Sequence, residues 1–490
     1  MTTAVDVDQP APANAPGASC EPARPSPIEV GVLVLVALVS AYAHLHRIGT
    51  TTALLDELTY QQSGIDVVRG TVTAPAQPYL ARYLFGLAQL VLGEGLPAAR
   101  VVSAIASILT GTVLFAMGRR IAGWWAGVGA FALWSVLPQA TRAPDGSVTM
   151  LKLGRSALLE PLMVLFVVLA LHLCWRWART GRTCDAVLVG LAFGAALASK
   201  PTAGLLAPVL VVAGCGALGL SRRTLLQVAA MGAAAAALLV ASYLPLGSEA
   251  PDAVRFMIEF QTQEHAATGH QVIVAGEVYR SAPWWAYAWW QWRSVGTVAL
   301  TALLAATTAA VVWSPRRWVV GLLTASLAVP LLYFGFVAEF GLAHYQHLWQ
   351  PMLVLLAAVG IAELARRGTA ARAGAVVLAL GLSVVGVQTL AAITTTEQLG
   401  YGAIGELAGD RDLDQEAVVV WGQTLVAGHY LPGAQIVLNP GEATRPISAV
   451  ILDAGTVARD PRPEVEAFLA AERASFTRTE LDHLTLYLRR

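Results

Sequence analysis

Apolar runs of about 20 residues recur along this chain, and each is long enough to cross hydrocarbon as a helix. A backbone that enters lipid has to satisfy its own hydrogen bonds, which a helix does within a single segment. About eleven such runs can be read, at 29–46, 98–117, 121–138, 156–175, 185–199, 201–219, 224–246, 295–313, 319–338, 347–366 and 373–394. Charge agrees with this reading. Only 13% of the residues are charged and 56% are apolar, whereas soluble domains carry roughly 25% charged residues. The expected fold is an all-α polytopic membrane bundle.

Orientation follows from arginines in short turns. Arg119-Arg120, Arg176 to Arg182, Arg222-Arg223, Arg316-Arg317 and Arg366 to Arg372 form five basic turns, and such turns belong on the cytoplasmic side. One threading satisfies all five. It leaves 47–97, 139–155, 247–294, 339–346 and 395–490 on the outer face. The stretch 78–92 is apolar but only about 15 residues long, so it is expected to lie at the outer surface as a juxtamembrane helix.

The two ends of the chain differ from the middle. Residues 1–27 are rich in Pro and Ala and poor in large apolar side chains, which predicts a disordered cytoplasmic tail. The first apolar run lacks a basic leader and a cleavage site and is expected to stay as an anchor. Residues 395–490 carry acids and strand-like runs at 417–421, 449–452 and 484–488, with a helix-like stretch at 463–472. These predict a small α/β domain outside the cytoplasm. A net charge of zero gives no sign of a nucleic-acid partner. The four cysteines show neither metal spacing nor a disulfide framework.

One polar stretch stands out directly after the first run: Asp56-Glu57-Leu58-Thr59-Tyr60, continuing to Gln77-Pro78-Tyr79-Leu80-Ala81-Arg82. Adjacent acids repel and are costly at a membrane surface. Asp56 and Glu57 are therefore the candidate reacting centre. A solvated acidic loop is the plain alternative.

Four spacings together resemble the polyprenyl-phosphate-dependent integral-membrane glycosyltransferases of the GT-C type, in particular protein O-mannosyltransferases and bacterial aminoarabinose transferases. The first is Asp56-Glu57-x-x-Tyr60, with Gly70 and the Gln77 to Arg82 stretch. The others are Gly154-Arg155 to Glu160-Pro161, then Gly190 to Lys200-Pro201, then Tyr279-Arg280-Ser281-Ala282-Pro283-Trp284-Trp285. Gln77 stands where that family has His, Arg82 where Lys is common, and Glu160 where Asp is usual. The resemblance implies that 28–394 is the glycosyltransferase domain, with its site on the loops 47–97 and 247–294.

It further implies a polyprenyl-phosphate-linked sugar as donor, membrane lipids as surroundings, and an acceptor hydroxyl on the outer face of the plasma membrane. Such a transfer needs a base for the hydroxyl and positive charge for the departing phosphate. Asp56, with Glu57 beside it, is the expected base. Arg155, Lys200, Arg280 and His270 are expected at the phosphate, and Arg82 either there or snorkelling to headgroups. Tyr60, Trp284 and Trp285 are expected as a platform for sugar and lipid, although Trp residues also form plain interfacial belts. No cofactor is required by the residues, but the resemblance allows a divalent cation held by Asp56 and Glu160. Glu160 lies inside a span and should have a bound cation or Arg155 as partner. His344 and His347 have a spacing that would permit metal, yet surface histidines are commoner. A secondary transporter is the competing class, but no inverted repeat or pair of broken spans supports it.

Overall fold

In the computed structural model the described residues are 25–71, 77–139, 152–260, 262, 271–338, 341–395, 400–409, 413, 416–481 and 483–490, with backbone alone at 141–142 and 148–149. The first half builds helices α1 (Pro27–Leu45), α2 (Leu55–Val68), α3 (Leu80–Leu92), α4 (Leu96–Ala122), α5 (Trp124–Val136), α6 (Glu160–Thr180), α7 (Thr183–Ser199), α8 (Ala207–Leu218), α9 (Arg222–Ala241) and α10 (Ala250–Glu259). Long helices follow at Ala286–Trp313, Arg317–Phe336, Gln350–Ala365 and Thr369–Thr395.

Every expected span is a helix. Eight are long and apolar enough to cross a membrane, counting the 3-10 turn Pro201–Leu206 together with α8. Three are shorter: α5, α7 and Gln350–Ala365, with 13, 17 and 16 residues. Their length has a physical reason in the last case. Nearly all of residues 350–360 are buried by other helices, and irregular backbone at membrane depth is tolerated where protein surrounds it. Small residues make this close packing work, since a side chain at Gly360 would run into the Ala306 carbonyl.

Helix α3 has 13 residues, about 20 Å of rise, which is short of the hydrocarbon thickness. It buries Ala81, Arg82, Phe85, Gly86 and Gln89 and exposes Leu87, Leu90, Val91 and Leu92. That two-sided pattern suits a helix lying along a surface. It packs against α2, where a Cβ at Gly86 would come within 2.1 Å of the Gly64 carbonyl oxygen. Glycine at this crossing sets the distance between the two helices.

In the threading expected from the sequence, where α2, α3 and α10 do not cross, the five basic turns each join two consecutive spans at one end of the bundle, and α2, the starts of α6 and Gln350–Ala365, and the end of α7 fall at the other.

Two short hairpins lie among the loops: β1 (Thr141–Arg142) with β2 (Val148–Thr149), and β3 (Val272–Val274) with β4 (Glu277–Tyr279). The C-terminal region forms the expected α/β unit. Its sheet contains β5 (Ala417–Trp421), β6 (Gln435–Val437), β7 (Ile447–Asp453), β8 (Phe476–Leu481) and β9 (Leu484–Arg489), in the order β6-β5-β7-β9-β8. The β6, β5 and β7 strands run parallel, and β9 and β8 are antiparallel additions. Alternation along β5 divides its side chains between two layers. Val419 and Trp421 pack with Val465 of the helix Pro463–Glu472. Val418 and Val420 share a core with Ala53, Leu58, Ala81 and Phe85 of the membrane half. The domain thus rests on α2 and α3.

Candidate active site

Helix α2 begins at Leu55, and its first turn turns two neighbouring acids to different sides. Glu57 points inward and is completely buried. Its Oε1 accepts from Arg100 Nε at 2.8 Å and from the Ala157 amide at 2.6 Å. Its Oε2 accepts from Arg100 Nη2 at 2.9 Å and from the Leu54 amide at 3.0 Å, which caps the helix. Arg100 also donates to the carbonyls of Ile48, Thr51 and Thr52. Such saturation is what a buried ion pair needs to be tolerated. Glu57, expected beside Asp56 at the reacting centre, has all its acceptor positions occupied by structure.

Asp56 is half-buried and faces the other way. Its charge acts on the hydroxyls of Tyr60 and Tyr345. The Tyr60 hydroxyl is raised well above its ordinary pKa by burial, then by Asp56 and Glu160, with Arg82 opposing. Tyr345 is raised likewise by burial, then Glu160, with Tyr287, Tyr60 and Asp56 adding to it. Both phenols stay neutral and can donate.

Arg82 does not snorkel. It is 3% exposed, donates to Ser63 Oγ, and lies 5.1 Å from the centre of the Tyr60 ring. Its Nε has no hydrogen-bond partner among the described residues. The cause of its burial is the α2–α3 crossing, since Ser63 and Arg82 flank the two glycines in contact.

Glu160 opens α6, where the helix N-terminus favours an anion, and it is 2% exposed. Its partner is Lys200, not Arg155. Lys200 follows the end of α7, where a cation is favoured, and its Nζ bonds Glu160 Oε1. The same ammonium lies 4.6 Å from the centre of the Tyr345 ring. His344 Nε2 approaches the same carboxylate oxygen at 3.4 Å. Asp56, Tyr60, Arg82, Glu160, Lys200, His344 and Tyr345 thus form one polar cluster from five separate segments.

Other expected residues lie elsewhere. Arg155 is buried and donates to the carbonyls of Ala43 and His46, at 3.1 and 2.6 Å. It closes the end of α1, which corrects the expectation of a phosphate ligand. Trp284 is 67% exposed and stacked on Phe336, while Trp285 meets Tyr279 edge-on. Arg280 is exposed. His270 lies outside the described residues. His347 is buried beneath Trp134, with ring centres 5.2 Å apart, so it is not a surface histidine.

The residues do not fit a divalent cation well. Among the described residues no group of three or more His, Cys, Asp or Glu side chains could hold one. Glu160, the expected ligand, already meets an ammonium and an imidazole on one oxygen.

Sequence reasoning missed Arg100 and Tyr345, and weighed His344 only as a metal-type spacing with His347. An arginine four residues into an apolar helix was a signal for the first, because buried charges need partners. His344 and Tyr345 sit in a 3-10 turn, Ala343–Leu348, and nothing local marks them.

Known proteins share this fold. Residues 76–245 match the family described as dolichyl-phosphate-mannose-protein mannosyltransferase. No curated protein matches the chain by sequence. Among solved structures, ArnT from Cupriavidus metallidurans bound to undecaprenyl phosphate is similar at a TM-score of 0.58 and 14% identity, covering 94% of this chain and 97% of that one. The oligosaccharyltransferase AglB from Archaeoglobus fulgidus, in complex with an inhibitory peptide and a dolichol-phosphate, is similar at a TM-score of 0.53 and 11% identity, covering 95% and 74%. At such identities the structures establish the fold alone. The chain thus shares the GT-C fold of ArnT, and over residues 76–245 it is similar to the dolichyl-phosphate-mannose-protein mannosyltransferases.

Proposed function

We propose that this enzyme moves a sugar, mannose or a related hexose or pentose, from a polyprenyl-phosphate donor to an acceptor hydroxyl on the outer face of the plasma membrane. The observation that carries the reading is the meeting of Asp56 with two buried cations, Arg82 and Lys200, around Tyr60 and Tyr345. A carboxylate and paired cations are what this transfer requires. The placement of the cluster opposite the five basic turns supports the outer face.

In this reading Asp56 takes the acceptor's proton as the acceptor oxygen bonds to the sugar's anomeric carbon. The bond from that carbon to the phosphate oxygen breaks, and the prenyl phosphate leaves with its electrons. Arg82 and Lys200 meet the developing charge. Tyr60 and Tyr345 offer neutral hydroxyls to sugar or phosphate oxygens. Residues 395–490, resting on α2, form a wall beside the acceptor's approach.

The test is to incubate purified protein with a panel of polyprenyl-phosphate sugars and candidate acceptors. Consumption of one donor, with free polyprenyl phosphate released, is expected. No consumption of any donor by folded protein, with each class of acceptor supplied, would sink the reading.

A further inference from the structure

We infer that Lys200 stands in for a divalent cation at Glu160, so that this enzyme transfers its sugar without a metal ion. The inference rests on the transfer reading above and adds to it how the site's charge is balanced.

A carboxylate buried at the mouth of a membrane span needs a positive partner. Glu160 has one built in: the Lys200 ammonium bonds its Oε1, and His344 Nε2 lies 3.4 Å from the same atom. The glutamate side chain is one methylene longer than the aspartate usual at this place in the motif. Its oxygen reaches between the end of α7 and the Ala343–Leu348 turn. Lys200 in turn is held by the Tyr345 ring face, at 4.6 Å, where a desolvated ammonium is well received. Lys200 is 4% exposed, so little water competes for it.

Charge counting points the same way. Asp56 and Glu160 contribute two negative charges, and Arg82 and Lys200 two positive ones. The Glu160 oxygen that His344 approaches is already bonded by the Lys200 ammonium. Hard cations also demand about six oxygen ligands, and the described residues supply no cluster of that kind. Glu160 is then a positioning residue: it fixes Lys200 over Tyr345, where the ammonium faces the leaving phosphate.

The experiment uses full-length protein in lipid nanodiscs, with Mn2+ as the probe. Electron paramagnetic resonance should detect no stoichiometric Mn2+ binding to the wild type at micromolar concentrations. Turnover should be equal in EDTA and in MgCl2. Lys200→Met should lose turnover by on the order of a hundredfold, and, because the described residues around Glu160 do not make a cation cage, added Mn2+ should neither bind nor restore it. Wild-type protein that binds one Mn2+ through Glu160, or that stops in EDTA, would overturn the inference. Should Lys200→Met not fold, the wild-type titration and the chelation assay still decide. Absence of donor turnover in every condition would instead strike the transfer reading, while the Mn2+ titration would still report on Glu160.

Discussion

Glu57 and Arg100 meet through both carboxylate oxygens, in a place where the carboxylate is 0% and the guanidinium 1% exposed. One residue earlier, the charge of Asp56 acts on Tyr60 and Tyr345 in the polar cluster. Two acids adjacent in the sequence thus have different surroundings, and the proposed function gives the reacting role to Asp56 alone.

Glu57→Gln should be a folding mutant. Removing one partner of a buried pair leaves an uncompensated charge and costs about 3–5 kcal/mol. Thermal unfolding of the purified variant should shift down clearly, and yield should fall. Donor affinity measured on the folded fraction should stay near the wild-type value.

Asp56→Asn should show the reverse. Its shape is kept and its ability to take a proton is lost, so transfer should fall by on the order of a hundredfold or more. The unfolding curve and donor affinity should hardly move. Full turnover in this variant would mean that another group is the base.

Arginines 82 and 155 should separate in the same way. Arg82→Ala removes a cation from the cluster, and donor binding should weaken, with the loss largest at low salt. Arg155→Ala should leave donor affinity unchanged and lower the melting temperature, because the carbonyls of Ala43 and His46 lose their donors. Equal donor affinity in wild type and Arg82→Ala would place the phosphate elsewhere.

Gly86→Ala tests how the cluster is positioned from behind. The added methyl would sit 2.1 Å from the Gly64 carbonyl oxygen, and overpacking of this kind costs about 1–3 kcal/mol. The α2–α3 crossing should open, carrying Ser63 and Arg82 out of register. Turnover should drop although no residue of the cluster has changed.

A reporter fused after Arg490 that works only in the cytoplasm should be silent. A strong signal would reverse the threading deduced from the five basic turns.

Periodicity and length made the helices legible, because the hydrocarbon layer imposes both. The helix at 463–472 and the strands at 417–421 and 484–488 could also be read, since their apolar runs are continuous or strictly alternating. Strands β6 and β8 could not. The first has only three residues, and the second is an edge strand whose Thr477, Arg478 and Glu480 face solvent. In the site, Asp56 and Tyr60 were legible because they share one turn of helix. Glu57 was misjudged because its partner is 43 residues away. The same holds for Arg155, whose acceptors lie more than a hundred positions upstream. Local pattern reports which charges exist, and only the packed fold reports which are already occupied.

The amide of Ala53 donates to the hydroxyl of Tyr430 at 2.8 Å, across 377 positions of chain. Arg100 grips the carbonyls of Thr51 and Thr52 next to it. The ledge from which Asp56 projects is thus pinned from two directions, once by a membrane helix and once by the terminal sheet domain. Cutting that domain away would unfasten the base as well as remove a wall. A graft between related enzymes should keep its activity only if the incoming domain presents a hydroxyl at the same spot.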